Sequence, residues 1–215
     1  MNAVHAVDLA VHVGAGAIGL AVGLVPLASR KGGRAHRRWG RWFAALAMLV
    51  VGAAILSDLF ASPSPALVAV TLAAAYQLAG SLRALALRGR VPGGVDAALA
   101  LAALLIAGLL ARSANGATAS FTPLIQYSTL GWVATIAVYD LSRHAWAQAW
   151  SRSFQPLDHG LKMTGVWVAM ASAGAGNLLR DWQPWSQLLP NLLGTALMIA
   201  FALRHWPRRA AATAA

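Results

Sequence analysis

A basic segment, residues 30–41, is the densest group of side chains that could bind a ligand. It contains six Lys or Arg residues and one His within twelve positions. Its Gly-Gly pair allows a tight chain reversal, because glycine accepts backbone angles that other residues avoid. One interpretation is a turn that orients the protein and attracts anionic lipid headgroups. The other is a cytoplasmic cradle for an anion or cofactor, with Lys31, His36 and Arg37 as ligands.

His159 and Met163 form a second candidate group, because a spacing of four places them on one helix face. Met170 and Asn177 continue the same face. A histidine and a methionine together can ligate haem iron or copper, and methionine also fills irregular gaps in apolar interiors. His36 lies on the same predicted side of the membrane as His159, so these two histidines could bind haem b between them.

His12 is an ionisable residue about one turn inside an apolar segment. Gly16, Gly19 and Gly23 follow it at helical spacing, so His12 shares a helix face with a groove of glycines. Such a face is expected to pack against another helix, since small residues let two helix backbones approach closely. An ionisable residue inside a membrane is by default a functional hypothesis. The alternative is a histidine that bonds a neighbouring hydroxyl or carbonyl group.

A third group of polar residues lies near the ends of apolar segments. Tyr76 and Arg83 share one helix face, with Gln77 beside them, and Asp140 ends a later segment. Charges at a membrane boundary are costly unless they are paired or hydrated. We therefore expect Asp140 to pair with Arg83 or Lys31, most simply as a structural ion pair.

These residues fall into two predicted sets. The first is expected to meet at the cytoplasmic mouth of the protein as a polar site: Lys31, His36, Arg37, Arg83, Asp140, His159 and Met163. The second lies within the membrane: His12, Tyr76 and Gln77. The convergence of the first set is inferred from topology, since no motif links its members. An anionic headgroup, a metal ion or haem b would each suit such a set, and the residue types do not choose among them.

The segments that must position these residues are strongly apolar. Hydrophobic residues make up 59% of the chain and charged residues only 11%, whereas a soluble domain carries about a quarter charged residues. A helix needs about 20 apolar residues to cross a bilayer. Seven segments reach or approach that length: residues 9–29, 42–57, 66–82, 97–111, 121–139, 163–179 and 188–203. We therefore predict an all-α, polytopic membrane helix bundle with about seven transmembrane helices, forming one domain over residues 1–215.

The basic residues alternate between the gaps of this pattern. Fifteen of the 17 Lys and Arg residues fall at residues 30–41, 83–90, 140–162 and 204–209, which are every second gap. Cytoplasmic loops carry an excess of Lys and Arg. The pattern therefore predicts an N-terminus outside and a C-terminus in the cytoplasm, in a multi-pass protein of the inner (cytoplasmic) membrane.

Composition excludes several functions. The chain has no Cys, which excludes disulfides, thiolate metal sites and redox thiols. Its formal net charge of +11 would suit nucleic acid, but the cations are dispersed between apolar segments and form no single patch. The expected partners are therefore the lipid bilayer and its anionic headgroups, and nucleic acid is not one of them.

Three stretches together resemble a known family. The first runs from His-Val-Gly-Ala-Gly at His12 into Arg-Lys-Gly-Gly-Arg-Ala-His-Arg-Arg-Trp-Gly at Arg30. The second is Tyr-Gln-Leu-Ala-Gly-Ser-Leu-Arg-Ala-Leu at Tyr76. The third is Asp-Leu-Ser-Arg at Asp140, followed by His-Gly-Leu-Lys-Met at His159. Over most of its length the chain thus resembles the bacterial predicted membrane proteins known as domain of unknown function 2306, which implies the same helical membrane fold but no established activity.

Two classes of function have residues that indicate them, and structural, assembly or sensory roles, which leave no chemical trace in a sequence, also stay open. Polar residues within the predicted spans, such as Gln77 and Gln126, indicate a small transporter or channel-like protein with a polar site at its cytoplasmic face. The alternative is a haem- or metal-binding membrane redox protein that uses His36 and His159. The sequence contains no Ser-His-Asp spacing, HExxH motif or phosphate-binding glycine loop, so little in it indicates an enzyme.

Overall fold

The chain folds into a bundle of seven long helices, which the computed structural model describes over residues 3–60, 65–113 and 123–206. Within these residues 91% of the chain is helical and no strand occurs, which confirms the predicted all-α class. The long helices are α1 (Ala3–Ala28), α2 (Arg34–Phe60), α3 (Pro65–Leu87), α4 (Gly94–Arg112), α5 (Pro123–Ser142), α6 (Gln155–Leu178) and α7 (Trp185–His205).

Five of the described helices are long and apolar enough to cross a membrane: Leu9–Ala28 of α1, all of α2, Leu67–Leu87 of α3, all of α4 and all of α7. Their outward surfaces are apolar as well. Ile18 is 57% exposed, Leu105 is 65% exposed and Leu193 is 70% exposed. Exposed apolar surface on this scale suits contact with lipid better than contact with water. The chain is therefore a membrane protein.

The two remaining long helices, α5 and α6, are less apolar because they carry buried polar residues. Asp140 lies near the end of α5, and Asp158 and Lys162 lie in the first turns of α6. Both helices nevertheless pack inside the same bundle. The α5 helix contacts α3 and α4, and the α6 helix contacts α1, α3 and α7.

Most of the basic segment, residues 30–41, is helical and not a loop. The α2 helix begins at Arg34, eight residues before the predicted start of this span, and the chain reverses within residues 29–33. Gly32 in this turn has a φ of 72°, a left-handed angle that disfavours a side chain. The predicted glycine turn is therefore present, but it is shorter than the basic segment.

The chain turns at residues 29–33, 88–93 and 143–154 lie at one end of the bundle, together with the end of α7. We refer to this end as the basic end. The turn at 143–154 is a connector of short 3-10, α and π-helical turns between α5 and α6. Phe154 in the connector packs edge-on against Trp206, with 5.2 Å between ring centroids, so the connector reaches the end of α7.

The glycine face of α1 packs against α2 and α6, although Gly16 is not its closest contact. A Cβ atom at Gly19 would lie 3.0 Å from α6, and one at Gly23 would lie closer still. A Cβ atom at Gly16 would lie 4.0 Å from Val50, which is an ordinary contact. His12 Nδ1 lies 3.1 Å from the Val50 carbonyl oxygen of α2, so His12 faces a neighbouring helix and bonds its backbone.

Candidate polar site

A cluster of buried charges lies at the basic end, where α3, α4, α5, α6 and the connector meet. Five of its side chains belong to residues that are only 2–3% exposed: Asp96, Asp140, Arg143, Asp158 and Lys162. Arg83 of α3 joins this group from a partly exposed position. We refer to these six residues as the charge network. Three carboxylates face three cations, so the formal charges of the network balance.

Arg143 is the centre of the charge network. Its Nη1 atom lies 2.7 Å from Asp158 Oδ2 and 3.2 Å from Asp140 Oδ1, and its Nη2 atom lies 3.5 Å from Asp96 Oδ1. The guanidinium also stacks over the Trp150 ring, 4.7 Å from the ring centroid. A guanidinium can bond several carboxylates at once because its donors point in different directions. One side chain thus links α4, α5 and α6.

Lys162 bridges two of the same carboxylates from α6. Its Nζ atom lies 2.5 Å from Asp140 Oδ1 and 3.0 Å from Asp158 Oδ1, and the Tyr139 ring centroid is 5.7 Å away. Gly80 of α3 makes room for this side chain, since a Cβ atom there would lie 3.2 Å from Lys162 Cδ and 3.3 Å from Lys162 Nζ. The lysine therefore depends on a small residue in the facing helix.

The charge network extends from the rim of the bundle into its interior. At the rim, Arg83 Nη2 lies 2.9 Å from Asp96 Oδ2, and the Gly93 backbone N–H donates to the same carboxylate at 2.9 Å. On the inner side, the Tyr76 hydroxyl donates to Asp140 Oδ2 at 2.6 Å. Tyr76 and Arg83 are two turns apart on α3, which corresponds to about 10 Å along the helix axis. The network and Tyr76 therefore extend over about 10 Å of the bundle, which is about a third of the thickness of a typical bilayer core.

A hydrogen-bonded pair continues this polar line toward the middle of the bundle. Trp132 Nε1 of α5 donates to Gln77 Oε1 of α3 at 3.2 Å, and Gln77 Nε2 donates to the Ala73 carbonyl at 3.1 Å. Gly165 of α6 packs directly on the Gln77 amide, and a Cβ atom there would overlap it. Gln77 is 2% exposed and both ends of its amide are bonded, as burial in apolar surroundings demands.

Burial makes the pairing of these charges obligatory. Moving an ion out of water costs several kcal/mol even after relaxation, and an opposite charge offsets this cost only when the geometry is close. Each of the three carboxylates contacts two cations of the charge network. Removal of any one member would therefore leave a buried charge with less compensation.

Asp140 contacts basic side chains as predicted, but its predicted partners were wrong. Its cations are Arg143 from the connector and Lys162 from α6. Arg83 instead bonds the α4 carboxylate at the rim. Lys31 follows the end of α1 and donates hydrogen bonds to backbone carbonyl oxygens of that helix. The prediction relied on membrane side alone, which does not specify the helix face on which a charge lies.

Lys31 and His36 bond the end of α1 and are not members of the charge network. Lys31 Nζ donates to the carbonyls of Pro26, at 2.9 Å, and of the following residue, at 2.7 Å. His36 Nδ1 lies 3.2 Å from the same Pro26 carbonyl. The last carbonyls of a helix lack partners within it, so cations are favoured there. Partial burial lowers the pKa of Lys31. The Arg37 guanidinium donates to a carbonyl of the neighbouring turn on the exposed surface.

His159 and Met163 lie beside Ser81 of α3. Ser81 Oγ is 2.7 Å from His159 Nδ1 and 3.6 Å from Met163 Sδ. Met170 packs in the apolar core with α1 and α2. Within the described ranges, no group of three or more His, Asp or Glu side chains is arranged to hold a metal ion. Binding of haem b or a metal by the histidines stays a prediction.

The sequence patterns did not predict four members of the charge network: Asp96, Arg143, Asp158 and Lys162. Two of the ion pairs have a local signal, because Asp140 and Arg143 are three residues apart and Asp158 and Lys162 are four apart. A second signal is scarcity, since the chain has only six acidic residues and three of them lie in this network. Asp96 has no ion-pair partner within four residues of it along the chain, so only packing reveals its role in the charge network.

No family model, no curated protein and no solved structure matches this chain. The resemblance to domain of unknown function 2306 therefore stays a prediction from three stretches of sequence. The fold and the site define a class of protein and not an individual one. That class is an all-helical membrane protein with a buried, charge-balanced network at one end of its bundle.

Proposed function

We propose that the chain is a multi-pass protein of the inner (cytoplasmic) membrane with seven spans, an external N-terminus and a cytoplasmic C-terminus. The turns at residues 29–33, 88–93 and 143–154 share the basic end, and cations concentrate on the cytoplasmic side of membranes. We count α5 and α6 as spans because their charges have partners inside the bundle. The likeness to domain of unknown function 2306 supports the same arrangement.

Reporter fusions test this topology. A fusion after Arg90, which follows α3 at the basic end, should place the reporter in the cytoplasm, where green fluorescent protein fluoresces and alkaline phosphatase is inactive. A fusion after Asn115, which lies outside the described residues, should give the reverse pattern. Active phosphatase after Arg90 would contradict the proposed orientation.

Within this topology, the function we propose is that of a small transporter whose cytoplasmic side is closed by the charge network. The observation that carries the proposal is the position of the network. It links α3, α4, α5 and α6 at one end of the bundle, in front of a polar line that continues to Gln77 and Trp132. Ionisable residues inside a membrane protein mark solute and proton pathways by default. Ion pairs also suit a reversible closure, since both partners become hydrated when water enters.

Loss of the negative charge on Asp140 would weaken this closure. Asp140 accepts the Tyr76 hydrogen bond and contacts Arg143 and Lys162. Replacing it by a neutral residue leaves Lys162 with Asp158 as its remaining carboxylate partner in the network. The link between α5 and α6 then weakens, because a neutral side chain attracts an ammonium group much less than a carboxylate does.

Accessibility of a buried thiol measures this closure directly. The chain has no cysteine, so Ala73→Cys introduces a single thiol at a residue that is 4% exposed and lies just beyond Gln77. We expect (2-sulfonatoethyl) methanethiosulfonate, added to the cytoplasmic face of inverted vesicles, to label this thiol slowly. Adding Asp140→Asn should accelerate labelling at least about tenfold. A tenfold increase in the population of the open state requires roughly 1.4 kcal/mol, and breaking a buried ion pair costs more than this.

Asp181→Asn is the matched control for this experiment. Asp181 is exposed in a short turn between α6 and α7 at the opposite end, so its substitution should leave the labelling rate unchanged. Tyr76→Phe keeps every ion pair and removes one hydrogen bond from Asp140, so its effect should be intermediate. If Asp140→Asn labels no faster than the control, the charge network does not close the cytoplasmic side.

A further inference from the structure

A cavity of about 600 Å³ opens at the basic end between the last turns of α1 and α7. No member of the charge network lines it. Both helices pack against α6: Trp167 Nε1 of α6 donates to the Leu20 carbonyl of α1 at 2.9 Å, and Gly194 of α7 packs on Val168 of α6. The cavity lies between α1 and α7, which both pack on this shared support.

The cavity combines a basic mouth with an apolar floor. The basic mouth is formed by Arg30, Lys31, Arg204 and His205, and the apolar floor is formed chiefly by Leu197 and Phe201. No acidic residue lines it, and within the described part of the chain neither arginine forms an ion pair. Leu197 is 48% exposed, so the floor continues onto the outer apolar surface of α7.

Phe201 fixes the shape of the floor. Its ring packs onto Gly160 of α6, where a Cβ atom would lie 2.9 Å from the ring. Lys31 Nζ lies 5.4 Å from the ring centroid, and the His205 ring lies 4.3 Å from it. The Lys31 ammonium is thus held over an aromatic surface. This vertical order of charge above apolar surface matches the boundary between lipid headgroups and acyl chains.

A phosphate group would accept hydrogen bonds from the two arginines that line this cavity.

We propose that this cavity binds an anionic phospholipid, with its phosphate at Arg30 and Arg204 and its acyl chains along Leu197 and the outer face of α7. A zwitterionic lipid also carries a cationic group, and the mouth of the cavity would repel this group because it is basic and has no acidic residue. A free phosphate would use the mouth and leave the apolar floor uncovered. The phospholipid satisfies both parts of the cavity, and it is available wherever a membrane protein lies.

Lipid binding by the delipidated full chain in dodecyl maltoside tests the proposal, with dioleoylphosphatidylglycerol as the probe and native mass spectrometry as the measurement. Arg30→Gln with Arg204→Gln should lower the affinity about thirtyfold, since each surface cation contributes to anionic lipid binding. Arg88→Gln with Arg152→Gln removes the same charge from exposed positions at the same end and should change it less than threefold. Equal losses in the two double variants would overturn the site.

A second variant separates lipid from a free anion. Ala200→Trp fills the cavity and keeps every cation, so it should abolish preferential phosphatidylglycerol binding while the protein stays monodisperse. Dioleoylphosphatidylcholine should bind the unaltered chain at least tenfold more weakly, and inorganic phosphate at millimolar concentration should not compete. Equal binding of the two lipids would overturn the proposal. So would competition by phosphate, which would assign the mouth to a free anion.

Discussion

Replacing Lys162 by methionine is expected to lower the free energy of unfolding by about 3–5 kcal/mol, because it breaks a buried ion pair without removing its carboxylates. Lys162 is 3% exposed, and its ammonium lies 2.5 Å from Asp140 and 3.0 Å from Asp158. Methionine has a similar length, so it fits beside Gly80 without opening a large cavity. The two carboxylates then share Arg143 alone. A denaturant titration in mixed micelles measures the loss.

Two further variants separate the effect of charge from that of packing. Asp140→Asn in the Lys162→Met background removes one under-compensated carboxylate, so it should restore at least half of the lost stability through coupling between neighbouring sites. Arg152→Met removes an exposed cation of the connector and should leave stability unchanged within error. A loss below about 1 kcal/mol for Lys162→Met would contradict an ionised network in the folded protein.

Gly194→Ala is expected to cost about 3 kcal/mol, at the upper end of the range for overpacking. Gly194 is buried where α7 crosses α6, and a Cβ atom there would lie 2.6 Å from Val168 Cγ1 and 3.0 Å from Val168 Cβ. Valine is branched at Cβ and holds one preferred rotamer in a helix, so it cannot swing aside. The two helix backbones must separate instead. Thermal unfolding in detergent, followed by tryptophan fluorescence, measures the shift.

Gly108→Ala is the matched control for this crossing. Gly108 lies on an exposed face of α4, and a Cβ atom there would have no atom within 4 Å. The free energy of unfolding of this variant should stay the same or rise by up to about 1 kcal/mol, because alanine reduces the conformational freedom of the unfolded chain. Val168→Ala combined with Gly194→Ala should recover part of the loss. If the two glycine substitutions have equal effects, α6 and α7 do not meet as closely as these distances require.

The helical class and the uneven distribution of charge follow from the sequence alone. Apolar runs as long as those of α1, α2, α4 and α7 have the helix as their stable form in lipid, since each backbone hydrogen bond must be made within the segment. The concentration of Lys and Arg residues in alternate gaps between the apolar segments can likewise be read directly from the order of residues along the chain. Helix ends were less predictable: α2 begins at Arg34 and not near residue 42, because the apolar pattern marks the lipid core and not the helix.

The tertiary structure alone decided which charges meet. Asp140 and Lys162 are 22 residues apart, and Asp96 and Arg143 are 47 apart, so no local pattern connects either pair. Each contact depends on the rotation of a helix about its axis and on how closely its neighbour approaches. Gly80 permits the approach that brings Lys162 across α3 to the carboxylates. Small facing residues set these distances, and the cost of burying an unpaired charge then selects the partners.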